Sequence, residues 1–428
     1  MDVRTAVALV RFGLGRRGTE PLPADADAWL AGQLQGPDPA LAGTGASAAD
    51  GLAALRADRM AQRAGGKPGR VRALFLAEAA ATTADLLEAP APFRERLVWF
   101  WANHFTVSLK RPPLHALVFA YVRDAIRPHV CGRFADMLLA VARHPAMLIY
   151  LDNAASIGPH SPAGLRTGRG LNENFARECL ELHTVGREAG YHQADVTGFA
   201  ALLTGWGLDR AAGTFAFYPR QHEPGAQTIM GRRYADGEAG GVAALRWLAA
   251  HPATHRRLAT KLARHFIADA PPTDAVARIA AVLDASGGDL GAAARALLRE
   301  KAAWQPLGKL RTPFDYAVAA LRALDLPPPQ RPELAAVLRL LGQPWMEAPL
   351  PDGWPDSAAE WGDGELLLRR ADWALGVAGR AGPRDPGEIA AATLGPLLGA
   401  ATAAAVRRAG SRREGLAMLL ASPEFFRR

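Results

Sequence analysis

Across nearly the whole chain, apolar residues recur at three- and four-residue spacing, while runs alternating β-branched with polar residues are almost absent. That period suits amphipathic helices and cannot lay down an extended sheet. The expected fold is therefore mainly α: a multi-helical, bundle-like array with long loops and at most a small β-hairpin. Proline and glycine punctuate it, giving expected helices at 70–87, 92–105, 113–126 and 134–142, and after residue 240 at 242–250, 252–267, 273–286, 289–301 and 312–324. Beyond the break at Pro327-Pro328-Pro329 a further helix is expected over 332–341, then one over 357–377 and two terminal helices.

A chain of 428 residues has material for two or three domains. The expectation is an N-terminal lobe, 1–240, carrying the polar motifs, and a C-terminal lobe, 241–428, packed closely against it. Asn153 to Gly170 has no period and reads as a loop able to wall a site. Thr214 to Tyr218 is the best strand candidate, half of a small hairpin ending before Gly231. Trp345, Trp354 and Trp361 lie in or just after a Pro-rich loop and are expected to pack between the lobes; the functional alternative is a pocket wall facing His222.

Fifty basic against 42 acidic side chains leave a net charge of +8, but no basic run interleaves with aromatics, so nucleic-acid binding is not expected. Two cysteines, Cys131 and Cys179, have neither disulfide-framework nor metal spacing. The N-terminal residues lack a signal-peptide pattern, which places the expectation in the cytoplasm unless the chain is exported together with a partner. Ile389 to Val406 carries no charge but is rich in Ala and Gly around Pro396, so it reads as a soluble helix pair and not a membrane span.

Chemistry-bearing residues concentrate in three places. In Asn172 to His183, helical spacing puts Asn174, Arg177, Glu178 and Glu181 on one face, opposite Phe175, Cys179 and Leu182. Inward carboxylates beside a histidine are how helical bundles hold metals, yet His183 points roughly 140° from Glu178 unless the last turn unwinds. The alternative is plain ion pairing of the two glutamates with Arg177 and its neighbours. In Arg94 to Phe105, the residues Arg96, Phe100, Asn103 and His104 share a side, and the buried polar ones need partners. The third place is the loop His222-Glu223 to Gly231. Phosphate-loop, serine-hydrolase elbow and zincin motifs are all missing.

Taken in order, the blocks Arg11–Gly15, Phe100–Phe105, His144–Asn153, Asn172–Gly186, Asp195–Thr197, Leu203–Trp206, His222–Gly231, Leu262–Phe266, Arg311–Phe314, Gly342–Pro344, Pro351–Pro355 and Ser422–Phe425 resemble the bacterial family catalogued as domain of unknown function 1800. The resemblance implies a mainly helical chain and an exported sulfatase- or phosphatase-like partner encoded nearby. Glu223 stands where the resemblance would place Asp, and Gln227 where it would place Lys. The functional expectation is a metal-dependent enzyme of hydrolytic or oxidative chemistry. Its ligands to iron, zinc or manganese would be His104, Glu178, Glu181 and His183; Asn103 and Asn174 would flank the cofactor; Arg177, His222 and Glu223 would be catalytic. The competing expectation is a non-catalytic accessory or escort of the exported partner.

Overall fold

The computed structural model describes residues 1–18, 20–42, 45–327 and 333–428. Helices dominate: twenty-two α-helical segments occur among the described residues, with only two small antiparallel two-stranded sheets. Helix α1 (Pro92–His104) starts on a proline whose missing N–H costs nothing at that position, and nearly all its side chains are buried. Helix α2 (Asn174–Glu178) runs straight into a π-helical turn at Cys179–His183. Helix α3 (Pro252–Phe266) is capped by the His251 ring, which accepts from Ala253 N–H at 3.1 Å. Helix α4 (Pro313–Leu324) is capped by Thr312 and buried along its whole length.

The boundaries depart from expectation where local capping overrides periodicity. Ser161 caps a six-residue helix, Pro162–Thr167, inside the expected 153–170 loop. The expected 113–126 helix divides into a 3-10 turn at Pro112–Ala116, a short α-helix Val118–Tyr121 and a π turn Val122–Ile126. The 357–377 helix breaks into Ala358–Trp361 and Gly364–Ala378, because Asp363 caps the second piece. Three helices follow instead of two, the last starting where Ser411 accepts from Glu414 N–H. Leu334–Leu340 is helical; Pro328, Pro329 and Pro332 lie outside the described residues.

Strand β1 (Trp206–Asp209) pairs with β2 (Thr214–Phe217), in register Trp206 to Phe217. Strand β3 (Gln227–Ile229) pairs with β4 (Arg232–Tyr234), turning at Met230-Gly231. The second hairpin was not expected, since three-residue strands leave almost no alternation to read.

One apolar core spans both expected lobes. Phe12, Phe93 and Phe266 meet with ring centroids 5.7 to 6.0 Å apart, joining the start, middle and second half of the chain. Buried guanidiniums tie the same regions together. Arg11 donates to the carbonyls of Phe266, Ile267, Gln305 and Arg428, and Arg322 to those of Gly15, Leu86 and Leu87. Several of these carbonyls end helices, where no intrahelical donor exists, so the forked cation satisfies them and opposes the negative helix end. No helix among the described residues is long and apolar enough to cross a membrane.

Candidate functional site

A cavity of about 520 Å³ opens between α1, α3, the start of α4 and the Trp- and Pro-rich loop. Its walls are aromatic: Trp99, Phe100, Phe314, Trp345 and Trp354 all line it. Trp345 packs on Trp99 at 5.7 Å and on Phe119 at 5.4 Å, so the same indole walls the cavity and joins the two halves of the chain. Trp361 stacks behind Trp354 at 5.8 Å and is buried. Trp345 and Trp354 thus pack against the N-terminal half of the chain and also line the cavity, whereas Trp361 packs on Trp354.

The loop is held over the cavity by Asn103. Its Nδ2 donates to the Trp354 carbonyl at 2.9 Å, and its Oδ1 accepts from Trp354 N–H at 2.8 Å. The side chain thereby copies a strand partner. Gly353 makes this approach feasible: it has φ +87°, and a Cβ there would fall 2.7 Å from Asn103 Oδ1.

One wall is cationic. Arg257, Lys261 and Arg264 are spaced four and three residues apart on α3, which puts them on one face, and all three line the cavity. None of the three makes an ion pair among the described residues. Arg257 is part-buried with its Nε unpartnered, and burial pulls its guanidinium down from the usual range. It lies over Gly186 (φ +79°), where a Cβ would come within 2.9 Å of the guanidinium. Lys261 donates from Nζ to His104 Nδ1 at 3.1 Å, which puts the His104 proton on Nε2, 3.2 Å from the His183 carbonyl. Burial first, then the Lys261, His183 and Arg257 charges, hold His104 well below the ordinary histidine range, so the ring is neutral.

The floor is a compensated charge network. Asp315 accepts from Arg96 at 2.8 Å and meets Arg428 at 3.1 Å; those two cations overcome its burial and hold it far below the carboxylate range. His265 Nδ1 lies 2.6 Å from Asp356 Oδ2, with Arg428 beside the ring and Lys309 on the far side of the carboxylate. Burial is the main influence on His265 and lowers it, against the pull of Asp356.

The residues expected to bind metal are only partly brought together. His104 and His183 meet, with ring centroids 6.2 Å apart, but through a backbone carbonyl. His183 is buried with neither ring nitrogen partnered, and burial followed by the Lys261 and Arg257 charges pushes it down to about 3. Its direction comes from the π turn, whose widened geometry is stabilised by Thr184 Oγ1 donating to the Cys179 carbonyl and Gly186 N–H to the Leu180 carbonyl. Glu181 is spent on Arg187 at 2.6 Å and on the Tyr191 hydroxyl. Glu178 is half-buried; burial, with Glu181 and Asp352 nearby, pushes its carboxyl up. Among the described residues no group of three or more His, Cys, Asp or Glu is placed to hold a metal ion. The expected quartet is therefore not a ligand set here, and the immediate neighbours of His104 and His183 are cations.

The remaining expected site residues have other partners. Arg177 pairs with Glu173 at 2.8 Å and with Gln193, not with Glu178 or Glu181. Asn174 N–H is capped by Asn172 Oδ1, and the residue does not line the cavity. Asn103 lines the cavity and holds its loop through both polar atoms of the amide. His222 lies outside the cavity, with Nδ1 on the Thr204 carbonyl at 2.9 Å and Nε2 accepting from Gly237 N–H at 2.7 Å. Glu223 accepts from His160 N–H at 3.0 Å and faces the His160 ring at 2.5 Å. Glu223 fixes the hairpin region to the 153–170 segment, whereas His222 ties it to Thr204 and Gly237.

A family model described as a protein of unknown function, DUF1800, matches residues 7–427. The chain belongs to the DUF1800 family. No curated protein and no solved structure matches it. Several of the blocks that carry the DUF1800 resemblance border the cavity: Phe100–Phe105, Leu262–Phe266, Arg311–Phe314, Gly342–Pro344 and Pro351–Pro355 all contribute lining residues. The His222–Gly231 block contributes none. Reading this DUF1800 chain by sequence missed Arg257, Lys261, Arg264, His265 and Asp356. The signal available was the 257-261-264 spacing on one face of the 252–267 helix, hidden because arginine pairs recur throughout the chain.

Proposed function

We propose that the cavity under the Trp- and Pro-rich loop binds a small organic anion with an aromatic or apolar body. The observation that carries this reading is the stripe Arg257, Lys261 and Arg264, which makes no ion pair among the described residues and faces a cavity lined also by Trp99, Phe100, Phe314, Trp345 and Trp354, with Asp269, Asp315, Asp352 and Asp356 elsewhere on its walls. Carboxylates elsewhere are matched to buried cations, as Asp315 is to Arg96 and Arg428, so cations left without an acid are poised for one from outside. The apolar walls supply binding area, and the guanidiniums supply orientation. A divalent metal would meet the wrong charge at this wall, which favours an anion over the expected metal centre.

Three tryptophans, Trp99, Trp345 and Trp354, line the cavity and Trp361 backs one of them, so its occupancy should report in indole fluorescence. Titration with hydrocinnamate or phenyl phosphate is expected to give a saturable change. Arg257→Ala should weaken it roughly ten- to a hundredfold, the size of about 1.5–3 kcal/mol for a lost charged hydrogen bond. A response that does not saturate, or one undiminished in a folded Arg257→Ala protein, would contradict the reading.

A further inference from the structure

Lys261 sits at the centre of the cationic stripe, and a lysine there is unusual in a chain with 45 arginines and five lysines. Where charge alone is needed, arginine supplies it, as Arg257 and Arg264 do on either side. Lysine offers something a guanidinium cannot, an amine able to shed its proton and present a lone pair. The surroundings favour that. The hydrogen-bond partner of Lys261 is an imidazole nitrogen and not a carboxylate, and His104 is fixed in the accepting tautomer by its bond to the His183 carbonyl. The charged and titratable groups around the amine are His104 from α1, His183 from the π turn, Arg257 and Arg264 from α3, and Asp352 from the loop; only Asp352 favours the ammonium.

We propose that Lys261 is a nucleophile that forms an imine with the carbonyl group of an anionic oxo compound held in this cavity, an inference that rests on the anion-binding reading above. The uncharged amine adds to the carbonyl carbon. The C–N bond forms as the C=O π pair moves to oxygen, and a proton passes from the new ammonium nitrogen to that oxygen. The nitrogen lone pair then closes the C=N bond as the hydroxyl leaves, and the second N–H proton departs with it to complete one water. One amine and one carbonyl give one imine and one water, with no oxidant or reductant. His104 is a positioning residue: it holds Nζ toward the cavity and stays neutral, while the ammonium proton goes to solvent. Burial, with Arg257 second, lowers the Lys261 ammonium to about 8, so a useful fraction is uncharged near neutral pH. Arg257 and Arg264 are placed to take the carboxylate or phosphate of the same molecule.

The test incubates the intact protein with phenylpyruvate near pH 8, reduces with cyanoborohydride and maps adducts by peptide mass. Lys261 is expected to carry the reduced adduct in preference to the exposed Lys67, Lys110 and Lys301. Hydrocinnamate, which has the same skeleton without the oxo group, is expected to suppress it. Lys261→Arg should carry no reduced adduct in the cavity, with Lys67, Lys110 and Lys301 labelled only at the level seen in the unaltered protein. If both compounds saturate the fluorescence change while Lys261 stays unmodified, the imine is overturned and anion binding stands. If neither compound gives a saturable change, both readings fall.

Discussion

Glu178 and Lys261 show how position, more than residue type, decides the role of a charge. Glu178 was expected to ligate a metal or to pair with Arg177; in this fold Arg177 is engaged by Glu173 and Gln193 instead. A half-buried carboxyl beside two other acids binds its proton more tightly folded than unfolded. Wild-type stability therefore falls as pH climbs from the ordinary glutamate value toward the raised one. Glu178→Gln is expected to hold or raise the melting temperature at pH 7, with the gain disappearing below about pH 4. Thermal unfolding of both proteins at pH 7 and pH 4 checks this; a large loss of stability at pH 7 would contradict it. Asp315 is the opposite case. Replacing it by Asn leaves the buried Arg96 without its acid and Arg428 with Asp356 alone, and a loss of about 3–5 kcal/mol is expected in denaturant unfolding. His104 and Asn103 were legible as a polar end of an aromatic helix because helical spacing aligns them. Their partners were not, because Lys261 and Trp354 lie more than 150 residues away and nothing local points to them.

At the scale of elements, periodicity read most long helices to within a residue or two, since apolar faces and Pro or Asp starts are local signals. It failed where backbone geometry departs from the α period. The Cys179–His183 π turn redirects His183 by an extra residue, and a 3.6-residue wheel cannot foresee it. The 357–377 helix looked continuous because its apolar pattern runs through Gly362-Asp363, where a side-chain cap restarts it. The Trp- and Pro-rich loop depends on one contact, the Asn103 amide against Trp354. Gly353→Ala would press a methyl group into Asn103 at a backbone angle that non-glycine residues rarely adopt. The expected outcome is a loosened loop: faster amide exchange around Trp354 and weaker binding of hydrocinnamate, with the global melting temperature little changed. Unchanged exchange and affinity would show that Asn103 does not set the loop.

Over the whole molecule, fold class and family were legible because both are written in long patterns: helical period along the chain, and motif blocks spread from Arg11 to Phe425. The site was less so. Motif blocks drew attention to the carboxylate helix and to His222, whereas the cavity is assembled from α1, α3, α4 and a loop far apart in sequence. Buried arginines add to this: they cross-link the core through helix-end carbonyls, so the few cations without such partners stand out only once the fold is known. The central claim is that these cations and the tryptophans opposite them receive an organic anion. A crystal structure with phenyl phosphate tests it most directly. The account predicts phosphate oxygens within hydrogen-bond distance of Arg257 and Lys261, with the ring among Trp99, Trp345 and Trp354. Phenyl phosphate bound only elsewhere on the molecule, with this cavity left to water, would contradict it.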